Sequence, residues 1–207
     1  MEGLRFRLRA ATASAHARLE AALDIGAHCA DRPTYRTLIA RFWGIYAPLE
    51  AALRGVDWDA LDIDFAARSK TGWLVEDLMV MGLGPEDMAS LPSAQRLPRV
   101  EDYADALGVL YVMEGASLGG QIISRQLETQ LAITRSTGGR FFSSYGSEVG
   151  EKWRRYVATL EAFGDSPAIA VRIEGAALET FECFKAWLQS PVAATSSSGG
   201  RTPENCA

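Results

Sequence analysis

The chain has 207 residues, a formal net charge of −5 and 48% hydrophobic residues. This length and composition fit a single soluble domain with enough apolar side chains for a core. The acidic balance argues against nucleic acid as a partner. The three cysteines are odd in number and far apart, at 29, 183 and 206. They indicate a reduced, cytoplasmic chain rather than a disulfide framework.

Apolar residues recur at helical spacing almost throughout, so we predict an all-α fold, a single compact helical domain of six to eight helices. The sequence lacks the alternating Val- and Ile-rich runs that are typical of strands. The main predicted helices cover about 4–23, 35–53, 66–81, 102–131, 147–163 and 167–188. Loops are predicted over 55–65 and 134–146, with an irregular stretch before Pro98.

The two ends of the chain set the predicted domain boundaries. The N-terminus lacks the apolar run of a signal peptide. We assign residues 1–190 to the helical domain and 191–207, rich in Ser and Gly, to a flexible tail. The most apolar segment, 104–123, contains two carboxylates and a glutamine, and charges at membrane depth are costly. We therefore expect no membrane span.

Three glycines, Gly115, Gly119 and Gly120, fall in the middle of the fourth predicted helix. Each costs about 1 kcal/mol relative to alanine inside a helix, and we expect the helix to be broken there. A helix that tolerates this cost usually brings its backbone close to something else. A neighbouring helix, a membrane partner or a flat ligand would each account for the pattern.

The first predicted helix offers a candidate metal ligand, His16, one of only two histidines; the other, His28, is placed in a loop. Glu20 is one turn beyond His16 and can orient the ring, leaving one nitrogen for a metal. Arg9 lies about 10 Å before His16 on the same face. A packed core histidine and a solvated arginine remain the alternatives. A planar macrocycle between this helix and the glycines would explain both patterns.

The sequence at this point resembles a known family. The segment 8–20 is similar to the proximal-helix motif of heme oxygenases, and 111–121, Tyr-Val-Met-Glu-Gly-Ala-Ser-Leu-Gly-Gly-Gln, is similar to their distal helix. The form is closest to the bacterial biliverdin-producing branch, including members linked to bacteriophytochromes. Segments 142–146 and 153–156 are similar to the family's later helix. The resemblance covers most of residues 4–190.

The resemblance implies a role for each polar residue near the heme. His16 would be the proximal ligand to the iron, and Glu20 would orient it. Arg9 would pair with one heme propionate and Arg154 with a second. Tyr111 would add a hydroxyl group. A plain core position for Tyr111 and a plain surface position for Arg154 are the alternatives.

On the opposite face, Gly115, Gly119 and Gly120 would let the distal backbone lie close to heme, leaving a small pocket for dioxygen and water. Animal members carry an Asp after the first glycine that anchors this water, and the position here is Ala116. The resemblance implies that Ser117, or a carbonyl exposed by the glycines, holds the water instead.

The implied reaction is oxidative cleavage of heme b, which is both substrate and cofactor, by O2 to biliverdin, carbon monoxide and ferrous iron. Electrons would come from an external reductant such as a ferredoxin, a flavodoxin or a reductase, because the sequence has no flavin or nicotinamide fingerprint. A basic surface at Lys152, Arg154 and Arg155 would receive an acidic donor. A bacteriophytochrome is a candidate recipient of the biliverdin. The alternatives are a noncatalytic heme carrier or sensor and a helical interaction module.

Overall fold

The computed structural model describes residues 3–164 and 166–191, and within these ranges it contains helices and no strand, which confirms the all-α prediction. The α-helices are α1 (Leu4–Leu23), α2 (Ile25–His28), α3 (Arg32–Leu53), α4 (Thr71–Val80), α5 (Pro85–Ala89), α6 (Tyr103–Leu131), α7 (Arg140–Ser143), α8 (Val149–Phe163) and α9 (Pro167–Gln189). Three 3₁₀ turns lie at Asp59–Leu61, Ala66–Arg68 and Gly146–Glu148. Residues 192–207, most of the predicted tail, lie outside the described ranges, and the division at residue 190 stays a prediction.

The six long helices correspond to the six predicted ones, and local capping explains their starts. The side chain of Asp31 accepts a hydrogen bond from the Thr34 amide at 2.7 Å, and Pro33 occupies the first turn of α3. Asp102 caps α6 in the same way, through the Ala104 amide at 2.9 Å.

Asp24 joins α1 directly to α2. Its backbone is left-handed, with φ of 33°, which ends α1. Its side chain then accepts the amide of Ala27 at 3.2 Å and so begins α2. The prediction that His28 lies in a loop was wrong, because this cap makes His28 the last residue of a short helix.

The predicted helix 66–81 begins five residues late, at Thr71. Ser69 instead has extended backbone with ψ of 133°. The cause is Glu50, a buried carboxylate on α3 that accepts hydrogen bonds from the Ser69 hydroxyl at 2.5 Å and the Lys70 amide at 2.6 Å. These bonds satisfy the start of α4 from another helix.

The predicted loop 134–146 contains the short helix α7, for a similar reason. The buried carboxylate of Asp77 accepts hydrogen bonds from the amides of Arg140 and Phe141, each at 2.8 Å. Likewise, the irregular stretch before Pro98 contains the short helix α5. The Asp87 carboxylate accepts a hydrogen bond at 2.8 Å from the amide of Gly84, the residue just before this helix.

The long helix α6 forms the centre of the fold and runs unbroken from Tyr103 to Leu131, so the predicted break at its glycines was wrong. Tertiary contacts outweigh the helix propensity of single glycines. Gly108 lets α9 approach closely, since a Cβ there would clash with the Ile173 carbonyl oxygen. By length and composition α6 could cross a membrane, but 56% of its most apolar window is buried inside the protein, as in the core helix of a domain.

Candidate functional site

A cavity of about 770 Å³ lies between α1 and α6. Its volume is within the range of about 300–1,000 Å³ that is usual for small-molecule sites. The α1 wall consists of residues three or four positions apart, including Arg9, Thr12, His16 and Glu20, so one face of α1 borders the cavity. Side chains from α3, α7, α8 and α9, with Ile25 of α2 and Lys70 just before α4, complete a mostly apolar lining.

The α6 wall is built partly of bare backbone. A Cβ added at Gly115 or Gly119 would meet no protein atom within 4 Å, because both positions face the open cavity. Gly120 differs, since a Cβ there would lie 2.9 Å from the carbonyl oxygen of Phe142. Gly115 and Gly119 therefore leave the α6 backbone accessible to a ligand, whereas Gly120 lets α7 pack closely against that backbone.

His16 projects from α1 at the cavity wall with 56% of its side chain exposed. Its Nδ1 lies 3.6 Å from an Oε of Glu20, and its ring meets the edge of Phe181 at a centroid distance of 5.5 Å. Because Nδ1 faces the carboxylate, Nε2 is the nitrogen left to bind a metal. The described residues hold no group of three or more His, Cys, Asp or Glu side chains that could bind a metal ion.

Ser117 carries a polar atom with unused hydrogen-bonding capacity at the cavity. Its side chain is buried, it lines the cavity beside Ala116, and its Oγ has no hydrogen-bond partner in the structure. A buried hydroxyl group in a native protein is normally paired with protein or water. The Oγ is thus a buried polar atom, next to the cavity wall, that the protein itself leaves unpaired.

A family model described as heme oxygenase matches residues 2–190. The chain belongs to the heme oxygenase family. A protein named heme oxygenase from Xanthomonas campestris pv. campestris (strain 8004) is 31% identical over 134 residues, which make up 63% of this chain and 74% of that protein. The enzyme class and heme as the substrate follow from this membership.

Solved heme oxygenase structures share the fold. The NO- and CO-bound enzyme from Neisseria meningitidis superposes with a TM-score of 0.77, covering 98% of this chain and 100% of its own, at 19% identity. The enzyme from Leptospira interrogans has a TM-score of 0.73 and 18% identity, and the match covers 91% of this chain and 99% of that one. Heme oxygenase 2 from Chlamydomonas reinhardtii, solved without heme, has a TM-score of 0.70 and 19% identity, and the match covers 94% of this chain and 100% of that one.

The residues present fit heme. The cavity wall is largely apolar, as a porphyrin requires, and the bare backbone at Gly115 and Gly119 leaves room for a flat ring. His16 lies on the opposite wall with an imidazole of the kind that can ligate iron, and the Oγ of Ser117 is a buried, unpaired polar atom on the α6 side.

The propionate partners predicted for this heme oxygenase divide into two groups. Arg9 and Tyr111 both line the cavity. Burial raises the pKa of Tyr111, and the Thr12 hydroxyl and the charges of Arg9 and Arg5 oppose this shift. Arg154 is exposed and does not line the cavity. The neighbouring Trp153 lines the cavity instead, and its ring centroid lies 5.8 Å from that of Tyr111. A propionate role for Arg154 stays a prediction.

Sequence reasoning missed a buried polar cluster behind α6. Both oxygens of Glu114 are bonded: Oε2 to Arg68 at 2.7 Å, and Oε1 to the Lys70 amine and the Tyr145 hydroxyl at 2.8 Å each. Burial acts to raise the pKa of Glu114, but the charges of Lys70 and Arg68 outweigh it and hold that pKa below its usual value. The sequence signal was a carboxylate in an apolar run, which we used only to argue against a membrane span.

Proposed function

We propose that this heme oxygenase cleaves the heme ring with O2 and external electrons, releasing biliverdin, carbon monoxide and ferrous iron. The observation that supports it best is the cavity with a single histidine on one wall and bare glycine backbone on the other. Heme bound there supplies the iron chemistry. The protein supplies binding, orientation and the exclusion of competing reactions.

On the proximal side, we assign His16 as the iron ligand through Nε2. The Glu20 carboxylate, 3.6 Å from Nδ1, would orient the ring and favour the tautomer with the proton on Nδ1. Arg9, at the exposed edge of the cavity, pairs with a propionate, and Tyr111 donates its hydroxyl group beside it. Burial keeps Tyr111 protonated at neutral pH, so it remains a donor.

On the distal side, Gly115 and Gly119 bring backbone close to the ring, with Gly120 securing α6 against α7. This steric limit favours attack on the ring edge. We assign to Ser117 the water that an Asp side chain anchors in animal members, because Ser117 lines the cavity and its Oγ is buried and unpaired.

Electrons come from an acidic donor, a ferredoxin, a flavodoxin or a reductase, which docks on the basic residues of α8. Arg154 and Arg155 are exposed there, and Arg155 pairs with Glu151 at 2.8 Å. We place the enzyme in the cytoplasm of a bacterium, with a bacteriophytochrome as a recipient of biliverdin. The two cysteines of the described residues, Cys29 and Cys183, are buried free thiols, which agrees with a reducing compartment.

A noncatalytic heme carrier or sensor is the second candidate, and Ala116 is the observation that favours it. One experiment separates the two. Purified protein with one equivalent of hemin is given ascorbate and catalase in air, and its absorbance is followed. Loss of the Soret band with growth of a broad red biliverdin band supports ring cleavage. A stable Soret band supports a carrier, and the absence of a heme spectrum excludes both.

A further inference from the structure

The cluster formed by Arg68, Lys70, Glu114 and Tyr145, hereafter the Glu114 cluster, lies directly behind the cavity wall. Glu114 immediately precedes Gly115, the first glycine that faces the cavity. The side chains of Arg68, Lys70 and Glu114 are 5%, 2% and 1% exposed. Ionic groups this deeply buried need a full set of partners to be tolerated.

Within the Glu114 cluster, Lys70 also lines the cavity. The Lys70 amine has three protons, and it has three acceptors: the Glu114 carboxylate, the Tyr145 phenolic oxygen at 3.3 Å and the Arg68 carbonyl at 3.5 Å. The Tyr145 hydroxyl donates to Glu114 as well. With these protons bonded inside the cluster, we assign the cluster a structural role rather than proton delivery.

The partners of Glu114 all come from outside α6. Arg68 and Lys70 belong to the segment before α4, and Tyr145 follows α7. That segment is itself held on two further sides. Glu50 of α3 accepts from the Lys70 amide, and the Arg68 guanidinium donates to the Lys152 carbonyl of α8 at 3.2 Å. Glu114 is therefore connected to four other parts of the fold.

On the cavity side of α6, Gly115 and Gly119 have no side chain that could fix the helix by packing. A Cβ at either position would meet no protein atom within 4 Å. Glu114 lies at the start of this bare stretch, with both carboxylate oxygens fixed. Buried ion pairs are poor sources of net stability, but they can fix register, because only one arrangement satisfies every charge.

We propose that the Glu114 cluster is a positioning device that holds the bare α6 backbone of residues 115–121 at a fixed distance from bound heme. The proposal rests on the proposed function for what that distance serves. It also makes a statement about the protein without heme, since the cluster restrains the same backbone whether or not the cavity is filled.

The test compares Glu114→Gln, which keeps the shape and removes the charge, with Glu101→Gln, which removes the same charge from an exposed pair with Arg99. Amide hydrogen exchange of the heme-free proteins is measured first. In Glu114→Gln we expect exchange over residues 115–121 to speed up at least tenfold, with α9 within twofold of the unchanged protein. Glu101→Gln should leave both regions unchanged.

The second readout is the product. We expect Glu114→Gln to bind hemin within threefold of the unchanged protein but to place at least a tenth of its biliverdin in a regioisomer that the unchanged protein does not form. Tyr145→Phe removes one donor and leaves both ion pairs, so it should shift both readouts less, in the same direction. If Glu114→Gln does not fold, Tyr145→Phe replaces it as the variant that tests the proposal.

Two results would overturn the proposal. One is unchanged exchange and unchanged isomers in both variants. The other is exchange that rises equally in α6 and α9, which would make the cluster a general stabiliser. If the unchanged protein binds hemin without cleaving it, the proposed function fails, while the exchange measurement still decides whether the cluster restrains α6.

Discussion

The backbone of Gly120 packs against the backbone of Phe142, whose carbonyl oxygen lies 2.9 Å from the point that a Cβ on Gly120 would occupy. One residue earlier, Gly119 faces the open cavity. These adjacent glycines thus differ in what a side chain would meet: at Gly119 it would enter the cavity, and at Gly120 it would clash with α7. This difference leads to opposite expectations for stability and binding.

We expect Gly119→Leu to raise the free energy of unfolding by about 0.5–1 kcal/mol, because it relieves an unfavourable helix residue without a clash. The leucine side chain would fill the cavity and weaken hemin binding at least tenfold. Gly120→Ala should instead lower the free energy of unfolding by about 1–3 kcal/mol through overpacking against Phe142. Urea unfolding and hemin titration measure both effects. Unchanged hemin binding by Gly119→Leu would show that heme binds elsewhere.

His16→Ala should abolish the iron-ligand spectrum of the hemin complex and its ring cleavage. Because 56% of the His16 side chain is exposed, the free energy of unfolding should change by less than about 0.5 kcal/mol. Added imidazole should restore part of the spectrum. His28→Ala, which removes the other histidine, is the control and should keep spectrum and turnover. A normal spectrum in His16→Ala would remove the proposed ligand.

Ser117→Ala removes a hydroxyl group that makes no hydrogen bond within the protein. We therefore expect it to keep stability within about 1 kcal/mol and hemin affinity within threefold. Ring cleavage should slow about tenfold, measured as the rate of Soret loss with ascorbate. Ser124→Ala on the same helix loses a hydrogen bond to Ser143 at 3.1 Å and should cost stability without slowing cleavage. The reverse pattern would contradict a catalytic role for Ser117.

Asp77 should make stability depend on pH. Burial raises its pKa in the folded protein to about 6, from 3.8, although the two amides that it caps oppose the shift. Between these values the folded state binds more protons than the unfolded state, so the Asp77 contribution falls as pH rises from about 4 to about 6. The full loss is about 3 kcal/mol.

Asp77→Asn should remove this slope while keeping a carbonyl that can accept from Arg140 or Phe141. Urea unfolding gives the free energy of unfolding at pH 4 and at pH 7. The value at pH 4 minus the value at pH 7 should be smaller for Asp77→Asn than for the unchanged protein. Parallel curves for the two proteins would show that Asp77 is ionised normally in the fold.

Lys152→Glu should slow turnover driven by a protein donor and leave turnover driven by ascorbate unchanged, because only the protein donor needs a basic docking surface. The donor-driven rate should also fall with added salt in the unchanged protein. Arg99→Glu, a charge reversal at an exposed arginine paired with Glu101, is the control and should affect neither rate. Equal slowing with both reductants would remove the docking surface from α8.

Local patterns predicted what local interactions determine. Periodic apolar residues were enough to predict the long helices. The caps that begin α3 and α6 are local as well, since Asp31 and Asp102 bond amides two or three residues away. The starts of α4 and α7 were not predictable in this way. Glu50 and Asp77 meet those amides from about 20 and 63 residues away, and sequence spacing does not show such contacts.

The site follows the same division. Arg9, His16 and Glu20 share one face of one helix, so their spacing predicted their proximity. The Glu114 cluster joins three separate segments and could not be predicted from spacing. Arg154 shows a further limit: the sequence indicated that α8 contributes to the site, but its orientation places Trp153 rather than Arg154 at the cavity.

The single-residue joint at Asp24 has a consequence for how this family can vary in length. Adding or removing one residue turns a helix by about 100°, so an insertion just before the joint would swing Ile25 of α2 away from the cavity that it lines together with Leu23 of α1. The connections over 54–65 and 81–102 carry no such constraint on phase. We expect insertions and deletions among related chains to accumulate in those connections and to be absent at the joint.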